Sequence, residues 1–203
     1  MHVKKDYIHI CIVLDASGSM EYIENDIKGS VTAFMKDLKK EEGQTVLDVF
    51  QFSNDVQRIV EHANAADHAE NLMDSYCCSG TTALHDAVCT AIDTLGKEFA
   101  ALAEEERPEH VIVAIVTDGH ENASCNFTLE DVNTRIKHQT DCYNWEFVYL
   151  AAKQEQFEAE RISKSMGIQF CESTMNIAEL AGSTRKTLCK TIKRVKAKTV
   201  SNQ

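Results

Sequence analysis

Apolar residues along this chain fall into two kinds of run. The first kind is short and nearly continuous. Ile8, Ile10, Cys11, Ile12, Val13 and Leu14 read as a strand, Tyr7–Leu14, buried on both faces. Val46–Phe52, Val111–Val116, Trp145–Ala151 and the shorter Ile168–Cys171 read the same way. Val56–Glu61 is a further strand, close enough to pair antiparallel with its predecessor through the turn Ser53-Asn54-Asp55. The second kind has apolar residues three and four apart, the spacing of a helix with one buried stripe. From Met20 to Lys40 these are Ile23, Ile27, Val31, Phe34, Met35 and Leu38. Leu84–Glu105, Leu129–Thr140, Phe157–Met166 and Ile177–Val195 repeat the pattern. Thr128 and Asp131 predict a capping box at the third helix, and Gly167 closes the fourth.

Buried strands alternating with helices predict an α/β fold. The expected form is a doubly wound, mostly parallel central sheet with helices on both faces and one antiparallel edge strand, Rossmann-like in plan. Ligands of such sheets sit beyond the carboxyl ends of the central strands. Asp15 and Asp118 both fall at such ends.

Composition narrows the picture. Hydrophobic residues make up 43% and charged residues 26%, which suits one globular domain over residues 1–203. No linker, repeat or low-complexity stretch divides it. No segment approaches the roughly 20 apolar residues of a membrane span. The opening residues, with Lys4, Lys5 and Asp6 before a short apolar run, do not read as a secretory leader, so the expected location is the cytoplasm. The eight cysteines contain no CxxC, and several sit within apolar periodic segments, which predicts reduced, structural thiols.

The net charge of −11 is uneven. After Glu179 come no acids and seven bases: Arg185, Lys186, Lys190, Lys193, Arg194, Lys196 and Lys198. These mark a basic C-terminal helix, about residues 176–198. Bases there suit the helix dipole and a solvated face. The acidic body argues against general nucleic-acid binding.

Candidate chemistry concentrates in three loops. Asp15-Ala16-Ser17-Gly18-Ser19 places a carboxylate and two hydroxyls on one tight turn. Ser79-Gly80-Thr81-Thr82 offers a threonine hydroxyl beside a glycine, and Thr117-Asp118-Gly119 offers a second carboxylate. Two carboxylates and three hydroxyls form a hard-oxygen set suited to Mg²⁺ or Mn²⁺. With so few carboxylates, Ca²⁺ is less favoured. The set leaves a coordination position open to an anionic ligand from elsewhere.

These motifs resemble the metal-ion-dependent adhesion site (MIDAS) of von Willebrand factor A (vWA) domains, and the order of strands and helices matches across essentially the whole chain. The segments Thr82–Ala87, Thr117–Ser124 and Trp145–Leu150 look like the stand-alone vWA proteins of bacteria and their phages. The resemblance implies Asp15, Ser17, Ser19, Thr82 and Asp118 as the metal set. Thr82, which immediately precedes Ala83-Leu84, matches the family threonine; Thr81 competes with it. His85, His120, Glu121 and Thr81 are candidates for a rim facing the ligand. His85 and His120 occupy family positions that are not ligands.

The implied function is metal-dependent protein binding, with an Asp or Glu of a partner completing the cation's coordination. Enzyme readings lack their parts. Position 17 is Ser, where a haloacid-dehalogenase-type phosphatase needs a second Asp. Gly-x-Ser-x-Gly, GxGxxG and a P-loop are absent. Two alternatives stand beside the binding module: a metal-dependent phosphate-ester hydrolase, and nucleic-acid contact through the basic C-terminal helix.

Overall fold

A computed structural model describes residues 4–40, 43–65, 71–118, 121–151, 164–165, 167–170 and 180–201. Six strands form one sheet: β1 (Lys4–Asp15), β2 (Gln44–Phe52), β3 (Val56–Asn64), β4 (Pro108–Thr117), β5 (Glu146–Ala151) and β6 (Gln169–Phe170). Their order is β3-β2-β1-β4-β5-β6. All neighbours run parallel except β2 and β3, which pair antiparallel at one edge as the Ser53-Asn54-Asp55 turn predicts. Among the described residues, four long helices accompany the sheet: α1 (Glu24–Leu38), α2 (Leu84–Ala101), α3 (Leu129–Tyr143) and α4 (Leu180–Ser201).

The side-chain alternation of β1 explains why its apolar run is continuous. Ile8, Ile10, Ile12 and Leu14 enter one core with Val31 and Phe34 of α1 and Leu188, Ile192 and Val195 of α4. Cys11 and Val13 enter the other, with Leu84–Phe99 positions of α2 and Val132 and Ile136 of α3. A central strand covered on both sides has no polar face to show.

Element limits differ from expectation at several ends. The helix predicted over Met20–Lys40 begins as a 3₁₀ turn, Gly18–Ile23, and becomes α-helical at Glu24. The second ends at Ala101 rather than Glu105, because Leu102 is extended (ψ 149°), and a separate 3₁₀ turn occupies Glu104–Glu106. α3 runs on to Tyr143, where Asn144 in the left-handed region stops it. Its capping box between Thr128 and Asp131 is present. The expected helix Phe157–Met166 lies outside the described residues except for Lys164 and Ser165, and so do Cys171 and the start of the last helix before Leu180. α4 docks on α1 through Arg185, whose guanidinium meets Asp37, and reaches β5 through Arg194 and Glu146. Among the described residues no helix is long and apolar enough to cross a membrane.

Candidate metal centre

The site is built where β1 and β4 end side by side. Their register pairs Leu14 with Val116, which sets Asp15 beside Thr117. The Thr117 hydroxyl donates to Asp15 Oδ2 at 2.5 Å. The chain then turns back on itself, and the Ser17 amide donates to Asp15 Oδ1 at 2.7 Å. Ser17 Oγ lies 3.0 Å from Ser19 Oγ, and Ser19 Oγ donates to Asp118 Oδ1 at 2.8 Å. Asp15, Ser17, Ser19 and Asp118 thus share one hydrogen-bond network, although Asp15 and Asp118 stand 103 positions apart in the sequence.

Thr82 joins through backbone contacts. The Gly18 amide donates to the Gly80 carbonyl at 3.1 Å, and the Ser79 amide to the Ala16 carbonyl at 2.7 Å. The Thr82 amide donates to Asn122 Oδ1 at 2.9 Å, while the Asn122 amide donates to the Thr82 carbonyl at 3.0 Å. Asn122 therefore ties the second loop to the segment that follows Asp118. Thr82 is buried, whereas Thr81 is exposed and gives its hydroxyl and its amide to Asn54 Oδ1. Gly80 has φ +78°, and a Cβ there would strike the Asn54 side chain. Only glycine lets the loop lie this close.

The rim candidates separate. Glu121 turns inward: its carboxylate accepts from Ala123, Ser124 and His85 backbone amides and from the Ser124 hydroxyl. His85 Nδ1 lies 3.7 Å from Glu121. His120 and Gly119 lie outside the described residues.

Three supports escaped the sequence reading. The Tyr76 hydroxyl donates to the Asp15 carbonyl at 2.6 Å. Asn54 braces Gly80-Thr81, and the Thr117 side chain holds Asp15. Thr117 sits inside a quoted motif, and Asn54 inside a quoted turn; Tyr76 carries no signal in the sequence.

Electrostatics fit a cation. Asp15 is fully buried, and burial pushes its carboxyl up to about 6. Hydroxyl and amide bonds from Thr117 and Ser17 oppose that shift, and the Asp118 charge adds to it. Among the described residues, no cationic side chain is one of the leading influences on Asp15. A divalent ion bound there would supply that charge and return the carboxylate to its ionised form. The donors are hydroxyls and carboxylates, the ligand type Mg²⁺ takes.

The family model for the von Willebrand factor type A domain matches residues 9–196. The chain belongs to this family. No curated protein matches it. Solved structures similar to this vWA chain include the D319A mutant of the PilB minor pilin from Streptococcus sanguinis. That likeness has a TM-score of 0.70 at 11% identity over 93% of this chain and 62% of that one. The vWF domain of the type V pili tip protein Mfa5 from Porphyromonas gingivalis gives 0.60 at 11%, covering 92% and 95%. A von Willebrand factor type A protein from Catenulispora acidiphila gives 0.59 at 16%, covering 91% and 42%. The chain thus spans less than two thirds of the PilB and Catenulispora chains. At these identities the likeness concerns the fold.

Proposed function

We propose that this vWA domain holds Mg²⁺ or Mn²⁺ at Asp15, Ser17, Ser19, Thr82 and Asp118, as a complete MIDAS, and binds a protein partner through it. A partner's Asp or Glu carboxylate completes the coordination. The observation that carries this reading is the convergence of three distant loops on a buried carboxylate with no cationic partner among the described residues. Such a centre recognises an anion by charge, and the surrounding loops choose among anions by shape.

Two features support binding over catalysis. The Ser17, Ser19 and Thr117 hydroxyls bond to carboxylates or to each other, and among the described residues no histidine stands beside them as an activating base. The pilus protein domains that share this fold are named for assemblies rather than reactions. The proposed setting is the cytoplasm, and the seven cysteines among the described residues are all free thiols. The basic helix favours a structural role: Arg185 and Arg194, two of its seven bases, are committed to acids of the body.

Calorimetric titration with Mg²⁺ is expected to give one site, lost in Asp15→Ala. Affinity capture from the native host, with and without chelator, is expected to lose its partner in chelator and in Asp15→Ala alike. A partner that stays bound in both overturns the metal-bridged mechanism. Hydrolysis of 4-nitrophenyl phosphate that needs Mg²⁺ and vanishes in Asp118→Ala overturns the assignment as a binding module.

A further inference from the structure

The 3₁₀ turn Gly18–Ile23 decides what stands beside the candidate metal centre. With three residues per turn, side chains at i and i+3 eclipse one another. Met20 and Ile23 form one such row, and both enter the core that α1 covers. Ser19 and Tyr22 form another. Ser19 is exposed, with its hydroxyl on Asp118 at 2.8 Å. Tyr22 follows one turn later, about 6 Å along the axis. It is 66% exposed, the most open large apolar side chain among the described residues. Partial desolvation and then the Asp118 charge push its phenol up, so Asp118 lies within electrostatic reach of that hydroxyl. A ring left this open forfeits the burial that tyrosine usually gains. Open tyrosines of this kind serve as anchors where partners dock.

Charge on this side of the centre has one sign. Lys28 is held by Glu24 at 2.7 Å, and the other Glu24 oxygen accepts the Cys78 amide at 3.0 Å. Glu21 and Asp26 are exposed and enter no ion pair among the described residues. One precedes Tyr22 directly and the other stands a turn beyond it, in the first turn of α1. Asp15 and Asp118 would already offset a divalent ion, which leaves these two acids as the local surplus. A ring face between uncompensated acids suits a planar cation. Arginine stacks flat on tyrosine while its fork reaches carboxylates.

We infer that Tyr22 is the partner-contacting residue of the metal centre, and that the partner presents an arginine two positions from the Asp or Glu that ligates the ion. The inference rests on the metal-bridged reading above. In an extended segment, side chains two positions apart share one face about 6–7 Å apart. That matches the step from Ser19 to Tyr22. The carboxylate meets the ion, the guanidinium lies on the Tyr22 ring, and Glu21 and Asp26 offset its charge.

Two peptides test this, acetyl-Asp-Ala-Arg-amide and acetyl-Asp-Ala-citrulline-amide, whose last side chains match in shape and differ in charge. Each is titrated into ¹⁵N-labelled protein saturated with Mg²⁺, and the amide shifts give its affinity. The arginine peptide is expected to bind about threefold to fivefold tighter, the worth of an exposed ring and ion pair. Tyr22→Ala is expected to abolish that preference while calorimetric Mg²⁺ affinity stays unchanged. Tyr22→Phe keeps the ring face and is expected to keep the preference, and Glu21→Gln with Asp26→Asn to reduce it. If Mg²⁺ binds but the two peptides bind equally, or neither binds, or the preference survives Tyr22→Ala, the inference is overturned and the metal site stands. If calorimetry finds no Mg²⁺ site in the wild type, the metal reading falls and takes the inference with it.

Discussion

Asp86 stands in the first turn of α2, where a carboxylate suits the positive end of the helix. Its oxygens reach much further in sequence. They accept the backbone amides of Cys125, Asn126 and Phe127 and the Asn126 side-chain amide, so one acid pins the loop after Glu121 to the start of α2. Burial pushes its carboxyl up, but those four donors outweigh burial and hold it below the usual range. Replacing it by alanine orphans several partly buried amides at once, a loss of about 2–4 kcal/mol. Urea unfolding of Asp86→Ala is expected to show that loss, with Mg²⁺ affinity also weakened because the Asn122–Thr82 contact lies in the same loop. Unchanged stability would show that the loop holds without it. In the sequence Asp86 reads as a first-turn acid and no more. The cluster of Asp15, Ser17 and Ser19 was legible because the three share a pentapeptide at a strand end. Asp86, Glu121 and Tyr76 were not, because their partners are backbone groups of distant loops, which leave no pattern along the chain.

At the scale of elements, one ionic network stitches β1, β2, β3 and α2 together away from the metal centre. His9 of β1 meets Asp48 of β2 at 2.6 Å, with both side chains fully buried. The Tyr7 hydroxyl lies 3.1 Å from His9 Nδ1. Arg58 of β3 binds Asp48 at 2.6 Å and also Glu98 of α2. Its guanidinium already supplies the positive charge a metal would bring, so this His–Asp–His cluster with His62 reads as structural. Burial lowers the proton affinity of His9, and Asp48 only partly restores it. A histidine with a depressed folded value resists protonation in the folded state but not in the unfolded chain. Its contribution is complete above the unfolded value of about 6.5 and is lost as pH falls through the folded value. Burial pushes Asp48 up while His9 and Arg58 pull it down further, so the net shift is downward and has the same sign at lower pH. Denaturation midpoints are therefore expected to fall between pH 7 and pH 5. His9→Gln is expected to flatten that slope, whatever its effect on absolute stability. An unaltered slope would remove His9 as its source. The strands themselves were readable from their continuous apolar runs, yet the buried His9 and Asp48 within them were invisible, since each satisfies the other only across a strand pair.

For the whole molecule, the metal reading has a thermodynamic consequence. Positions 15, 82 and 118 come together only when β1 and β4 lie side by side and the loop before α2 is in place. The unfolded chain scatters them, so an ion that binds there binds the folded state alone. Ligand binding of this kind stabilises the fold by mass action, about 2.7 kcal/mol at a free concentration one hundred times the dissociation constant. For a chain of this size each kcal/mol moves the melting temperature roughly 2–4 °C, so saturation with Mg²⁺ is expected to raise it by about 5–10 °C. Mn²⁺ should act similarly, and Na⁺ at matched ionic strength should not, which separates coordination from general screening of the −11 net charge. Asp15→Asn keeps the size of the side chain and removes its charge; its Oδ1 can still accept from the Ser17 amide, while its Nδ2 must donate to the Thr117 hydroxyl. That variant is expected to fold, to melt cooperatively and to gain nothing from Mg²⁺. If wild type gains nothing either, the loops are braced by their own hydrogen bonds, and the convergence of Asp15, Ser19 and Asp118 is a structural clasp. If Asp15→Asn gains as much as wild type, the ion sits elsewhere.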